Sequence, residues 1–373
     1  MRKVLFVFVL VVGGVALAIR YFFGGGERLE DRTGEPKYAF DGVVETVADL
    51  DLPPGNVAVS ESGRVFFTFH PEGRPKVQLA ELVDGKPVPY PDAAYQEDRF
   101  QTLLSLRIDR QNRLWALDYA SYAVGQPRIF AFDLERNELA YSHDFPSEVA
   151  PFLSMLNDFQ VDPEGKTIYI ADTSIFGQSP AIIVHDLETQ KSRRLLEGHD
   201  SVMPKRYIMN AAGRDMVFFG VVTLTIGVDS IALDKRGEWL YYAPVSDDRL
   251  YRIRAAALTD ESLSAEAVAA QVEAFARKTL SDGISMDVDD NVYLTDMEHS
   301  AILSVGSDRK LETLVEDPRL RWPDGLSFGP DGWLYVTCSA LHEVILKSAD
   351  NVRRNAPYQI FRFRPGPRGV PGH

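Results

Sequence analysis

The chain has 373 residues, of which 45% are hydrophobic, and this is enough apolar material to bury a large core. Its 40 Lys and Arg against 54 Asp and Glu give a formal net charge of −14 at pH 7. Because such a protein repels phosphate backbones, nucleic acid is excluded as an expected partner. The single cysteine, Cys338, excludes an intrachain disulfide.

The N-terminal segment begins with Arg2 and Lys3 and continues as an uncharged run over residues 4–19. Two interpretations stay open for residues 1–23. A positive start, an apolar run and small residues at positions 16–18 fit a cleavable signal peptide. Alternatively, residues 4–23 form a membrane anchor in which Arg20 reaches the interface. Both predict a hydrophobic helix that exports the rest of the chain, either held on the outer side of the inner membrane or secreted.

A glycine-rich, charged stretch at residues 24–37 is predicted to be a linker. Beyond it, one pattern recurs: a short apolar strand, a turn with Asp, Gly or Asn, and a second strand rich in aromatic and β-branched residues. The copies are NVAVSESGRVFFTF from Asn56, LSLRIDRQNRLWALD from Leu104, NDFQVDPEGKTIYIAD from Asn157, DSIALDKRGEWLYYAP from Asp229, DGISMDVDDNVYLTD from Asp282 and DGLSFGPDGWLYVTC from Asp324.

Six such hairpins, most followed by a second apolar pair, predict an all-β fold, a six-bladed β-propeller with four-stranded blades over residues 38–364. The last blade lacks a strand at its end, and residues 40–50 are predicted to supply it and close the ring. Residues 264–278 carry Val268, Val272 and Phe275 at helical spacing and are predicted to form a helix. Residues 365–373, rich in Pro and Gly, are predicted to be a flexible tail.

The repeat also predicts a polar mouth at one end of the channel. The innermost strands line the channel, and the start of the first strand shares one face of the ring with the end of the second. Five positions before the aligned turn residues stand Gly55, Leu104, Asn157, Asp229, Asp282 and Asp324. The same rim receives Tyr119, Asp172, His299 and Trp322. We expect these four and Asp324 to bind a small-molecule ligand.

Converging carboxylates repel one another unless they share protons or a cation. Oxygen ligands favour Ca²⁺ or Mg²⁺, so Asn157, Asp229 and Asp282 are candidate metal ligands and Asp282 is the candidate catalytic residue. The alternative is structural, because Asp before Gly often accepts backbone hydrogen bonds in a turn. The aspartates of the opposite turns are predicted to be structural: Asp109, Asp162, Asp234 and Asp287.

Four segments carry a family resemblance: LWALDYA at 114–120, YYAPVSDDRLYRI at 241–253, SDGISMDVDDNVYLTDMEHSAI at 281–302, and RWPDGLSFGPDGWLYV at 321–336 followed by PYQIFRF. In these the chain resembles the major royal jelly protein/yellow family, as a bacterial member, over residues 51–364. The resemblance implies a secreted six-bladed propeller whose central cavity binds small ligands in some members.

More distantly, the chain is similar to the gluconolactonase/senescence-marker-protein group of Ca²⁺-dependent lactone hydrolases. That similarity implies a calcium site in which Asn157 and Asp282 match two ligands. Asp229 stands where Asn is usual, and Gly55 stands where a Glu is expected.

Three functions follow as hypotheses: a module that binds a small organic ligand at the mouth, a metal-dependent hydrolase of lactones or related esters, and a protein-interaction scaffold. The sequence has no P-loop or H-E-x-x-H motif that would point elsewhere.

Overall fold

The computed structural model describes residues 14, 17, 20, 21 and 23–373. The predicted N-terminal hydrophobic helix, whether signal peptide or anchor, therefore lies largely outside the described residues. Among those that are described, no helix combines the length and apolar character needed to cross a bilayer.

Six four-stranded antiparallel sheets form the described propeller, and each is one blade. Blade 1 comprises Pro54–Val59, Val65–Phe69, Leu79–Val83 and Lys86–Pro89; blade 2 comprises Leu103–Ile108, Arg113–Asp118, Arg128–Asp133 and Glu138–Asp144; blade 3 comprises Leu156–Val161, Thr167–Asp172, Ala181–Asp186 and Ser192–Leu195. Blade 4 comprises Val228–Leu233, Trp239–Pro244, Arg249–Arg254 and Glu273–Arg277; blade 5 comprises Ile284–Met286, Val292–Asp296, Ala301–Val305 and Leu311–Glu316; blade 6 comprises Pro323–Phe328, Leu334–Cys338, Tyr358–Phe363 and Glu45–Leu50. The prediction of six four-stranded blades is confirmed.

Blade 6 joins the two ends of the propeller sequence. The strand Glu45–Leu50 pairs antiparallel with Tyr358–Phe363, with Thr46 opposite Phe361. Phe40 and Phe361 pack edge to face with ring centroids 5.4 Å apart. The predicted closure by the N-terminal strand is therefore what the structure contains, and the ring is locked by pairing between residues far apart in sequence.

Short helices and small hairpins occupy the connections. Helical segments are Ala93–Asp98, Ala255–Thr259, Ala265–Ala269, Leu341–Val344 and Ala349–Arg354, with 3₁₀ turns at Pro71–Gly73 and Pro330–Gly332 and a single turn at Ala120–Ala123. An insertion between blades 3 and 4 forms two small hairpins, Asn210–Ala211 with Arg214–Asp215 and Val217–Phe218 with Val222–Thr223.

The helix predicted for residues 264–278 is mostly wrong. Only Ala265–Ala269 is helical, and Glu273–Arg277 is the outermost strand of blade 4, paired with Arg249–Arg254. The buried Phe275 packs against Tyr241 with ring centroids 5.2 Å apart. Blade 4 needs a fourth strand, and this tertiary requirement overrides the local helical pattern.

The C-terminal residues are packed, contrary to the prediction of a flexible tail. The amide of Phe328 donates to the carbonyl of His373 at 2.7 Å, and the amide of Ile108 donates to the carbonyl of Gly372 at 3.1 Å. The imidazole Nδ1 of His373 lies 2.9 Å from Gln160 Oε1. Because these partners are at the turn ends of innermost strands from different blades, the tail covers the channel end opposite the predicted mouth.

Ring closure yields a stability prediction. Phe361 is 4% exposed in the closing sheet, whereas Leu139 is 45% exposed on an outer strand. Phe361→Ala should lower the free energy of unfolding by about 3–5 kcal/mol, because it leaves a cavity beside Phe40. Leu139→Ala, the control, should change it by less than about 1 kcal/mol. Urea unfolding followed by circular dichroism measures both, and equal losses would show that closure is not a special source of stability.

Candidate ligand and cation site

One end of the channel opens into a cavity of about 690 Å³. Its floor comes from the innermost strands and is polar, with Asn56, Ser105, Asn157, Asp158, Asp229, Ser230, Asp282 and Asp324. Its walls come from the connecting loops and the insertion and are mainly apolar, with Ile175, Phe176, Met203, Phe218, Leu224, Ile226, Leu341 and Ile345. This is the end at which the repeat predicted the mouth.

Irregular pairing at the start of the innermost strands brings two consecutive residues to the floor. In blade 3 the pairing register shifts between Leu156 and Phe159, which skips Asn157 and Asp158. In blade 4 it shifts between Val228 and Ser230, which skips Asp229. Such bulges release side chains from strict alternation and re-aim them. Both Asn157 and Asp158 consequently reach the channel.

Threonines near the ends of the second strands bond the backbone at the start of the innermost strands in blades 5 and 6. Thr295 Oγ1 accepts from the amides of Asp282 and Gly283 at 3.1 and 2.9 Å. Thr337 Oγ1 accepts from the amide of Gly325 at 2.8 Å and donates to the carbonyl of Gly55 in blade 1. The positions of the mouth residues are therefore set by bonds both within and between blades.

Glycine follows two of the acidic residues for a packing reason. A Cβ added to Gly283 would lie 1.8 Å from the carbonyl oxygen of Asp324, so only glycine fits where blades 5 and 6 approach. The Asp-Gly pairs had an alternative interpretation as simple turn signals. Here the glycine permits the close approach, and Asp282 lines the cavity.

The predicted metal ligands converge. The amide Nδ2 of Asn157 donates to Asp229 Oδ1, which also accepts from Thr173 Oγ1 at 2.7 Å. The carboxyl groups of Asp229 and Asp282 share a hydrogen bond. Asp282 Oδ2 in turn accepts from Trp322 Nε1 at 2.6 Å. One chain of polar contacts thus runs across the floor from blade 3 to the start of blade 6.

The electrostatics of the floor favour protonation or a bound cation. Burial, and then the nearby carboxylate of Asp282, raise the pKa of Asp229 well above its ordinary value. Burial and Asp324 raise the pKa of Asp282 to about 7. Burial is also the main cause that raises the pKa of Asp324 to about 8. Each of the three carboxyl groups at this mouth therefore favours its protonated, uncharged form.

A second polar layer lies below the acids, and sequence reasoning missed it. Arg107 Nη2 donates to Asp158 Oδ2 at 2.7 Å, and its Nη1 donates to Asn56 Oδ1 at 2.7 Å. All three side chains are buried. The available signal was the alternation: Arg107 stands two positions before its turn aspartate and two after Ser105, so it lies on the channel-facing side of the strand Leu103–Ile108. The positive charge of Arg107 is paired with Asp158, so it does not neutralise Asp229, Asp282 and Asp324.

The donor set fits a hard divalent cation in part. Within the described part of the chain, no three His, Cys, Asp or Glu side chains are grouped as metal ligands. Asp229 and Asp282 with the Asn157 amide supply two carboxylates and one carbonyl oxygen, the ligand types of Ca²⁺. A Cβ on Gly55 would meet Thr68 Oγ1 at 3.0 Å and Leu104 Cδ1 at 3.1 Å, so a larger side chain there would need its neighbours to move.

A strained turn helps to shape the wall. Residues Ala120–Ala123 all have positive φ, from 51° to 62°, which is rare for four consecutive residues that are not glycine. The turn presents Tyr122 to the cavity, where it packs on Phe176 with ring centroids 4.8 Å apart. Asp118 Oδ1 supports the turn by accepting from the amide of Ala120 at 2.8 Å. Such strain is typical of functional sites.

Two of the predicted ligand-binding residues do not line the cavity. The Asp172 carboxylate is fully buried and accepts from Ser154 Oγ at 2.5 Å, from the Met155 amide at 2.9 Å and from Arg194 Nη1 at 2.5 Å. It holds loops together. Tyr119 is buried behind Tyr122, with ring centroids 5.2 Å apart. The end of each second strand points these side chains away from the axis, which the repeat alone did not reveal.

His299 also lies away from the cavity. Its Nδ1 pairs with Asp296 Oδ2 at 2.9 Å, and its Nε2 lies 3.5 Å from Asp31 Oδ1 in the N-terminal linker. The hydrogen bond to Asp296 raises the pKa of His299 to about 9. Of the five side chains expected to bind ligand, Trp322 and Asp324 are the two that line the cavity.

Similarity to known proteins is found in both sequence and structure. The profile of the family described as major royal jelly protein matches residues 101–366. Among curated proteins, none matches the sequence.

Many solved structures share the fold. Regucalcin, a calcium-binding protein from Agrobacterium tumefaciens, is 16% identical, with a TM-score of 0.59 over 90% of this chain and 97% of that one. A luciferin-regenerating enzyme is 12% identical, with a TM-score of 0.56 over 88% and 98%. A gluconolactonase from Xanthomonas campestris is 14% identical, with a TM-score of 0.54 over 86% and 88%. At these identities the likeness establishes the propeller fold alone.

The raised carboxyl pKa values predict a pH dependence in the presence of EDTA. Between the ordinary value of 3.8 and about 8, the folded protein binds more protons at Asp282 and Asp324 than the unfolded chain does. The free energy of unfolding should therefore fall as pH rises through this range. Asp282→Asn should reduce the fall by about 2–4 kcal/mol, since one pKa unit corresponds to about 1.4 kcal/mol.

Urea unfolding at several pH values between 5 and 9 measures this dependence. Asp289→Asn is the matched control, because Asp289 is an exposed turn residue near the opposite end of the channel. An unchanged slope in Asp282→Asn would contradict the assignment of a proton-binding acid to the floor.

Proposed function

Since the chain belongs to the major royal jelly protein family, we propose that its propeller binds a small amphiphilic organic molecule, with a divalent cation, Ca²⁺, on the acidic floor of the cavity. The observation that carries the proposal is the convergence of Asn157, Asp229 and Asp282 beneath an apolar wall. The polar floor and the apolar wall come from different parts of the chain, so the cavity has two chemically distinct ends.

The cavity suits a small molecule in size and lining. Its volume of about 690 Å³ lies within the range of ligand pockets. Apolar side chains such as Ile175, Leu224 and Ile345 would cover the body of the ligand. The floor would receive its polar group, and Trp322 would keep Asp282 in place through their hydrogen bond.

A cation would relieve the repulsion among the acids. Asp229 and Asp282 would be its carboxylate ligands, and Asn157 would turn its amide so that Oδ1 faces the ion. A bound Ca²⁺ polarises a carbonyl or phosphoryl oxygen that reaches it. The regucalcin from Agrobacterium tumefaciens is a calcium-binding protein with the same fold, and this supports Ca²⁺ as the ion to test.

We expect Ca²⁺ to stabilise the protein. Excess CaCl₂ should raise Tm by preferential binding to the folded state. Asp229→Asn and Asp282→Asn should each weaken Ca²⁺ binding at least about tenfold, because each removes a charged oxygen ligand. Isothermal titration and thermal unfolding measure the effect.

Asp289→Asn again serves as the control, since it removes the same charge at the far end of the channel. Calcium binding that survives both floor substitutions would place the ion elsewhere. Failure of Ca²⁺ to bind the unmodified protein would leave the acids as a proton-binding floor and remove the cation from the proposal.

Hydrolysis of a lactone or related ester is the second candidate function, and the position of Asp282 on the cavity floor beside Asp229 favours it. A carboxylate oxygen of Asp282 that faces the substrate would accept a proton from the attacking water. Asp282 lies on the cavity floor, where a substrate carbonyl would lie near the cation ligands. Asp282 would then be the general base and Trp322 a positioning residue.

This candidate is tested with δ-dodecalactone and δ-valerolactone. Hydrolysis should depend on Ca²⁺, and Asp282→Asn should lower kcat at least about 100-fold. The longer lactone should react more efficiently, because its alkyl tail contacts the apolar wall. The Asp289→Asn control should retain the full rate. If Ca²⁺ binds but no EDTA-sensitive hydrolysis is found, the hydrolase function is refuted and the proposed binding function is retained.

A further inference from the structure

Exposed apolar side chains are unevenly distributed between the two faces of the ring. The loops on the cavity side carry Val124, Phe152, Phe176, Phe219 and Leu346, which are 59–87% exposed. The turns of the opposite face, among the described residues, expose no large apolar side chain. Val83, Val88 and Leu139 lie instead on outer strands.

Three of these loop residues line the cavity or directly follow a residue that does. Phe176 lines it directly, Phe219 follows the lining residue Phe218, and Leu346 follows the lining residue Ile345. Phe219 is at the tip of the small hairpin formed by Val217–Phe218 and Val222–Thr223 and is 87% exposed. Because the loops come from blades 2, 3 and 6 and from the insertion, the apolar side chains surround the mouth on several sides.

The N-terminal segment reaches the same face. Arg206 Nη2 donates to the carbonyl of Gly24 at 2.7 Å, and Thr223 Oγ1 donates to that of Gly25 at 3.1 Å. The backbone of Glu27 forms an isolated parallel β-bridge with that of Tyr207. Phe23 and Gly25 line the cavity. The uncharged run at residues 4–19 therefore precedes a point that is fixed beside the mouth.

We propose that the cavity face, defined by Val124, Phe152, Phe176, Phe219 and Leu346, docks onto a lipid bilayer. Gly24, Gly25 and Glu27, which follow the apolar N-terminal run in the sequence, are held at this face, and isolated phenylalanines on projecting loops are suited to enter the headgroup and acyl boundary. Charges of both signs border the mouth, such as Glu72, Lys205 and Arg206. Docking therefore depends on apolar insertion and does not require anionic lipid.

The docking would make the cavity open toward the bilayer. An amphiphile dissolved in the membrane would then reach the floor without crossing water. This consequence rests on the proposed small-molecule function, whereas the docking itself does not. The two are separable because docking is measured without any ligand.

A label on introduced cysteines tests the docking. Cys338 is fully buried, and burial raises the pKa of its thiol, so it does not compete for the reagent. Phe152→Cys, Phe219→Cys and Leu346→Cys place an environment-sensitive fluorophore at three points of the cavity face. Leu139→Cys is the matched control on an outer strand. Each full-length variant is reconstituted with phosphatidylcholine vesicles, with and without brominated acyl chains.

All three cavity-face labels should shift to the blue, and brominated lipid should quench them by about half, as expected at a depth of 5–10 Å. The Leu139→Cys label should change little. Far-UV circular dichroism verifies that each variant is folded.

Water-like emission from the three labels on vesicle-bound protein would overturn the proposal, as would quenching at position 219 alone. A blue shift without quenching by brominated lipid would mean that a second protein copy covers the face, and would also overturn it. If docking is observed but Ca²⁺ and lactones do not bind, the proposed function fails and the docking stands.

Discussion

Ring closure is the constraint on which the rest of this protein depends. The floor residues of the cavity come from all six blades, so the complete floor forms only when Glu45–Leu50 pairs with Tyr358–Phe363 and closes the ring. Contacts between neighbouring blades then set the fine positions, as when Thr337 donates to the carbonyl of Gly55. The site is a property of the closed ring and not of any one blade.

The floor shows how burial and like charge combine. Asp229, Asp282 and Asp324 lie together, while the guanidinium of Arg107 in the layer below is paired with Asp158. If these three carboxyl groups served only as partners in structural ion pairs, a Lys or Arg side chain would lie among them to pair with them. The arrangement instead keeps negative charge available for a proton or a metal ion, and perturbed carboxyls of this kind are concentrated at functional sites.

The two ends of the channel differ in character. The C-terminal residues cover one end through hydrogen bonds to innermost strands. The other end has long loops, a strained turn at Ala120–Ala123 and exposed aromatic side chains. Turn aspartates on the covered side are structural, as their positions predicted: Asp109 Oδ2, for example, accepts from Trp115 Nε1 at 2.6 Å. The cavity and its buried acids thus lie at a single face.

The amino-acid sequence by itself determined the number of blades, the closing strand and the convergence of Asn157, Asp229 and Asp282, because a repeated hairpin fixes which positions face the axis. Tertiary structure decided those features that depend on contacts with neighbouring strands and loops. Residues 273–277 became a strand because blade 4 lacked one, and Asp172 turned away from the mouth to bond Ser154 and Arg194. The Arg107–Asp158 layer likewise arises from contacts between blades. Local pattern gives the direction of a side chain in an ideal strand, but bulges and packing against the next blade decide where it ends.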